Sequence, residues 1–284
     1  MPVLRPGPRR RTSTALIGVL TALATALALT ATLPGTATAD DRRPSPQAQD
    51  HWAGSQIIKH EGRAPADDGD GSGWELAGVE GVDVSSHQGN VDWATLWNSG
   101  VRFAYVKATE GTTYKNPYFA QQYNGSYNVG MVRGAYHFAL PNVSSGATQA
   151  AYFAGDGGGW SKDGRTLPGA LDIEYNPYGD DCYGKSHSAM VSWLKDFVNT
   201  YRARTGRDPV IYTSTSWWKL CTGNNASFGS VNPLWIPRYG SSVGELPAGW
   251  GFHTIWQYTS SGPYVGDHNR FNGAYERLQA LAKG

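Results

Sequence analysis

Asp172 and Glu174 stand two residues apart in Gly169-Ala170-Leu171-Asp172-Ile173-Glu174-Tyr175, whose apolar residues predict a short strand. Side chains alternate along a strand, so both carboxylates face one side, with Cα atoms about 6.6–7 Å apart at roughly 3.3 Å per residue. Like charges at short range push their pKa values apart, so one group can keep its proton while the other ionises. Glycoside cleavage needs that combination. An Asp-x-Glu triplet is short and common, and acids at strand ends are often solvated, so its weight depends on its neighbours. Asp83 sits in Val82-Asp83-Val84, where an isolated charge in a buried strand is expensive. Lys107 and Glu110 end a second apolar run, and Tyr136-His137-Phe138 end a third. Polar groups thus recur at the ends of four successive strands.

Those strands come from a regular rhythm. Apolar runs predict strands over 81–85, 103–109, 131–139, 170–174 and 209–213. Helices are predicted between them over 91–98, 117–128, 145–154 and 186–204. The last of these is the clearest, with Met190, Trp193, Leu194, Phe197, Val198 and Tyr201 recurring at three and four before Gly206 stops it. Such alternation means right-handed βαβ units and a parallel sheet. After Thr215 the rhythm changes. Strands are predicted over 234–239 and 253–258 with no long helix between them, and a final helix over 274–282. The expected fold is therefore α/β, a modified TIM-like barrel with helices between its early strands and missing between its later ones. A doubly wound open sheet is the alternative. In a barrel the C-terminal strand ends gather the chemistry.

The rest of the chain bounds its setting. Arg5, Arg9, Arg10 and Arg11 precede an apolar stretch over 15–33 and the small-x-small site Ala37-Thr38-Ala39. That order reads as a cleaved secretory signal over 1–39; a single membrane anchor is the other reading of the apolar run, and the nearby cleavage site favours the signal. Removing 1–39 takes away four arginines and no acid, so the charge of +1 becomes −3. No basic field on the scale of a nucleic-acid binder is implied. Residues 40–78 are polar and breaker-rich and read as a linker or pro-segment of low order, with Ile57-Ile58 marking a short local element. Cys182 and Cys221 are the two cysteines, and in an exported chain two cysteines predict one disulfide. No metal cluster, phosphate loop or Ser-His-Asp signature stands out, and no cofactor is expected.

Five ordered motifs carry a resemblance: Gly81-Val82-Asp83-Val84-Ser85-Ser86-His87-Gln88-Gly89, Phe103 to Gly111, Arg133-Gly134-Ala135-Tyr136-His137-Phe138, Leu171-Asp172-Ile173-Glu174 and Trp256-Gln257-Tyr258. Over 79–284 the chain closely resembles the Chalaropsis-type lysozymes, glycoside hydrolase family 25, and among them the Streptomyces muramidases. The resemblance implies a barrel of eight strands with about five helices. It also implies cleavage of the β-1,4 bond between N-acetylmuramic acid and N-acetylglucosamine in bacterial peptidoglycan. By position, Glu174 matches the family's proton donor, Asp172 its partner acid, Asp83 the strand-one acid and Asp267 a fourth acid near the C-terminus; the cysteines match a disulfide. His87 and Arg238-Tyr239 depart from residues common in the family. Two mechanisms remain open. In one, Asp172 orients the substrate's 2-acetamido group, whose oxygen attacks C1; in the other, an acid activates water and the configuration inverts.

The remaining residues divide between groove and core. Tyr136, Tyr175 and Tyr239 are assigned to the groove because they adjoin motif polar groups or strand ends, and Trp235 and Lys107 complete the substrate-binding set. Lys107 is expected to pair with a pocket carboxylate and His137 to be a satisfied structural histidine. Trp93, Trp97, Trp193, Trp217 and Trp218 are expected to pack in the core. The expected partner is bacterial peptidoglycan, with no nucleic acid, no transmembrane segment in the mature chain, and a monomeric, extracellular protein. A catalytically silent peptidoglycan-binding protein and a chitin-type hydrolase on the same scaffold are the rival readings.

Overall fold

The computed structural model describes residues 51–63 and 78–284. The expected signal over 1–39, and the parts of 40–78 other than 51–63 and Gly78, lie outside the described residues. Among the described residues no helix is long and apolar enough to cross a membrane.

A short helix, α1 (Ile57–Glu61), precedes the main body. The body then runs β1 (Val79–Val84), a 3-10 turn (Ser86–Gln88), α2 (Trp93–Asn98), β2 (Phe103–Glu110), β3 (Tyr114–Lys115), α3 (Phe119–Asn128), β4 (Val132–Phe138) and α4 (Gly146–Gly155). It continues through β5 (Ala170–Asp172), α5 (His187–Thr205), β6 (Val210–Tyr212), α6 (Thr215–Thr222), β7 (Leu234–Pro237), β8 (Ile255–Thr259), β9 (Asp267–Phe271) and α7 (Tyr275–Lys283). Parallel neighbours run from β1 through β2, β4, β5, β6 and β7 to β8. β9 is antiparallel to both β8 and β1 and so closes the ring, while β3 is a hairpin appended to the end of β2. The barrel expected from the alternation is therefore present, with the open sheet excluded by the β1–β2 and β1–β9 pairings. One helix fills each crossover from β1 to β7, and none lies between β7, β8 and β9 among the described residues.

Besides the short β3 and the 3-10 turn, α6 and β9 were not predicted. α6 is only 8 residues long, and its Thr-Ser-Trp-Trp composition favours strands as much as helices. The Ser214 side chain accepts from the Trp217 amide at its N-terminus, and Gly223 in the left-handed region ends it. β9 reads Asp-His-Asn-Arg-Phe, in which Asp and Asn are depleted in strands, and it forms because both its edges pair.

Strand alternation sorts side chains between two layers. Outward-facing Leu171, Ile173, Ile211, Leu234 and Ile236 pack beneath the helices with Phe153, Met190, Phe197 and Trp218. Inward-facing Phe103, Tyr105, Tyr136, Val210, Tyr212, Trp235 and Ile255 fill the barrel. Tyr105 stacks on Trp235 with centroids 4.8 Å apart, and Tyr212 meets the same indole edge-on at 4.7 Å. Gly134 makes room for this layer, since a Cβ there would lie 2.3 Å from the Tyr105 ring. Trp93, Trp193, Trp217 and Trp218 are buried, as their patterns predicted, and Trp97 is half-buried beneath the Arg102 guanidinium. Cys182 and Cys221 are joined, with Cα atoms 5.2 Å apart across 39 residues.

Candidate active site

The inward positions at the C-terminal ends of the strands carry the polar residues that the sequence marked out. β5 places Asp172 on the barrel side beside Ala170, and Glu174 follows two residues later. Both are fully buried. Neighbouring strands fix their backbone: Ala139 N–H donates to the Asp172 carbonyl at 2.9 Å, and Ile173 N–H to the Tyr212 carbonyl at 3.0 Å. The Tyr183 hydroxyl donates to the Glu174 carbonyl at 3.0 Å. Tyr183 adjoins Cys182, so the disulfide to α6 also steadies the backbone of Glu174.

A second pair of acids faces them. Asp83 on β1 and Asp267 on β9 are opposed residues of the antiparallel ladder. One oxygen of Asp83, Oδ2, accepts from Gln257 Nε2 at 2.9 Å and from Asn269 Nδ2 at 2.7 Å. The same Gln257 nitrogen reaches Asp267 Oδ2 at 3.4 Å, and its Oε1 accepts from the Tyr212 and Tyr239 hydroxyls at 2.8 and 2.9 Å. Trp235 Nε1–H donates to Asn269 Oδ1 at 2.7 Å. Gln257, Asn269 and Tyr212 therefore organise the floor. The sequence offered no reason to single them out beyond the Trp-Gln-Tyr motif and the inward parity of β6, β8 and β9. Trp235 belongs to this floor layer, stacked on Tyr105 beneath the carboxylates.

Burial dominates the electrostatics. It raises Asp83 from 3.8 to about 7 and Glu174 from 4.5 to about 8. It raises Asp172 and Asp267 well above the usual carboxylate range, with repulsion from Glu174 adding to Asp172 and from Asp83 to Asp267. Asp172 differs from the others in its bonding. Both of its oxygens are buried and neither has a hydrogen-bond partner. Lys107, expected to pair with a pocket carboxylate, donates to Glu110 at 2.6 Å, with both side chains fully buried. His137 is bonded at both ring nitrogens, to Thr109 Oγ1 at 2.8 Å and Gln149 Oε1 at 3.0 Å. Burial lowers it from 6.5 to about 4, so it is a neutral structural group. Among the described residues no cluster of three His, Cys, Asp or Glu side chains is placed to hold a metal ion.

The structure thus brings Asp83, Asp172, Glu174 and Asp267 to one end of the barrel, ringed by Tyr136, Tyr239 and Lys107. Tyr175 stands at the rim, where its hydroxyl bonds Glu61 at 3.1 Å. Buried acids at the C-terminal mouth of a closed barrel are compatible with the acid chemistry of a glycosidase. The chain belongs to glycosyl hydrolases family 25, whose model matches residues 82–267. It is 45% identical to lysozyme M1 of Streptomyces globisporus over 96% of this chain and 95% of that protein. It is 47% identical to the N,O-diacetylmuramidase of a Chalaropsis species over 72% of this chain and all of that protein. Its fold matches the muramidase structure from Acremonium alcalophilum with a TM-score of 0.72 and 60% identity, covering 72% of this chain and 99% of that one.

Proposed function

We propose that this chain is a secreted lysozyme that hydrolyses the β-1,4 bond between N-acetylmuramic acid and N-acetylglucosamine in bacterial peptidoglycan. In this reading residues 1–39 are a secretory signal, 79–284 the catalytic domain, and the mature protein is a monomer. Glu174 is the general acid, which delivers a proton to the leaving glycosidic oxygen. Asp172 accepts from the N–H of the 2-acetamido group and turns its carbonyl oxygen onto C1, the substrate-assisted form of glycoside cleavage. The observation that carries this assignment is the pair of unspent, buried oxygens of Asp172 beside Glu174. A buried acceptor without a donor is costly, and an incoming amide N–H removes that cost. Asp83 and Asp267, held through Gln257, keep the floor polar.

Mass spectrometry of muropeptides tests the bond: new reducing ends on N-acetylmuramic acid are expected, and release of reducing ends from chitin alone would end the muramidase reading. Proton NMR of the first anomer tests the mechanism, with β expected; an initial α-anomer excludes substrate assistance. Glu174→Gln should abolish turnover in a folded protein, and activity near wild type would remove Glu174 from the proton-donor role.

A further inference from the structure

The space above the four acids, where a glycan would lie, holds a piece of the chain itself. Gly54 N–H donates to Glu174 Oε1 at 2.9 Å, and the Gln56 and Ile57 amides donate to Oε2 at 3.1 Å each. Gln257 Nε2 donates to the Ala53 carbonyl at 3.1 Å, and Ala53 N–H to the Tyr136 hydroxyl at 3.4 Å. Lys107 donates to the His51 carbonyl. Ala53, Ser55, Gln56 and Ile57 are buried.

The fit extends across the mouth. His60 stacks on Tyr175 with centroids 4.1 Å apart and planes 2° from parallel, the contact a sugar face would make. Glu61 accepts from the Tyr175 and Ser214 hydroxyls, and Arg63 donates to Ser261 Oγ at 3.1 Å. At the other end Trp52 meets the His87 ring at 4.4 Å, and His51 meets Tyr178 at 5.1 Å. Four residues assigned to substrate binding from the sequence, Lys107, Tyr136, Tyr175 and Tyr239, are thus engaged by this segment. Gly54 shows how closely it is fitted. Its φ is +91°, and a Cβ there would lie 2.1 Å from the Tyr239 hydroxyl oxygen and 2.8 Å from Gln257 Oε1. A side chain at position 54 is excluded both by the backbone and by the floor of the site.

We propose that residues 51–63 are an intramolecular inhibitor that occupies the glycan groove and ties up the Glu174 carboxyl in three main-chain amides, holding the hydrolase inactive until the segment leaves. The proposal rests on the lysozyme reading above. Inhibition is steric, because Glu174 is fully covered and no glycosidic oxygen can approach it. It is also direct, because the three N–H donors occupy both Glu174 oxygens and leave neither free to meet a glycosidic oxygen. Fourteen residues separate Arg63 from Gly78, a tether short enough to keep the segment at an effective concentration on the millimolar scale.

The test compares three proteins on peptidoglycan: the intact chain from residue 40, the same chain with Gly54→Phe, and the barrel alone, 78–284. The Acremonium structure is matched over 99% of its length by 72% of this chain, a share as long as 79–284, so a related chain of the barrel's size forms this fold. If the open state is about 0.1–10% populated, the intact chain turns over about 10- to 1,000-fold more slowly than the barrel. Gly54→Phe restores most of the barrel's rate. A synthetic peptide of residues 51–63 inhibits the barrel competitively, and its Gly54→Phe form does not. Equal rates for barrel and intact chain would overturn the proposal, as would a Gly54→Phe chain as slow as wild type together with a peptide that fails to inhibit. A folded barrel that cleaves no peptidoglycan would instead overturn the lysozyme reading.

Discussion

Asp83→Asn should make the protein more stable at alkaline pH while impairing it as an enzyme. Asp83 is buried, and a single oxygen, Oδ2, accepts both the Gln257 and the Asn269 amide. An asparagine can place its carbonyl oxygen there and keep both bonds, so the substitution removes little but the charge. In the fold Asp83 holds its proton to about pH 7, whereas an unburied aspartate releases it near 3.8. Between those values the folded state binds a proton that the unfolded chain has released. The stability is therefore fully present below 3.8 and lost as pH rises through about 7. Moving a pKa from 3.8 to about 7 corresponds to about 4 kcal/mol above pH 7, since each pH unit is worth about 1.4 kcal/mol. An advantage of the variant over wild type should grow by about 3 kcal/mol between pH 5 and pH 8. Urea unfolding of both proteins at the two pH values measures it, with unchanged m-values showing that the same surface is exposed. Using the difference between proteins removes the contribution of His137 and leaves that of Asp83 together with its repulsion on Asp267. A difference that stays flat, or shrinks toward pH 8, would refute the burial argument for Asp83.

Asp172→Asn should lower kcat far more than it raises KM, because its unspent oxygens are predicted to act mainly in the transition state; steady-state kinetics on soluble glycan strands would show the split. Removing the disulfide with Cys182→Ala and Cys221→Ala should cost about 3–4 kcal/mol in chemical denaturation, from release of a 39-residue loop. It should also slow turnover, because the Tyr183 hydroxyl that holds the Glu174 carbonyl sits on that loop. His137, neutral in the fold, should cost stability as pH falls from 6.5 to about 4, by about 3 kcal/mol; His137→Asn should lose that part of the acid dependence in urea titrations.

Much of the barrel was legible because burial imposes period. Strands β1, β2, β4, β5 and β6 are apolar runs, and α5 repeats its core residues at three and four. The acids were legible because charge in an apolar strand needs a reason, and Asp83 and Asp172 both have one. Gln257 and Asn269 carried no such signal, since neutral amides in strands cost nothing visible until their partners are known. β9 was hidden for the same reason: Asp267, His268 and Asn269 look like a loop until two strands are seen to pair with them. Residues 51–63 are the extreme case. They grip Glu174 with main-chain amides, which every residue but proline possesses, and composition says nothing about where an amide points.

The β1–β9 pairing has a consequence in time. β1 is the first ring strand made and β9 the last, yet they lie side by side and hold Asp83 opposite Asp267. Until residue 271 has formed its ladder, β1 and β8 each present an unpaired edge, and the ring cannot shut. Pairing strands so distant along the chain is slow, because loop-closure entropy is lost before contacts repay it. A nascent chain therefore carries Asp172 and Glu174 for about a hundred residues of synthesis without a completed floor beneath them. Assembly of the hydrolase is deferred to the final strand, so an unfinished copy is a scaffold with acids and not yet a catalyst.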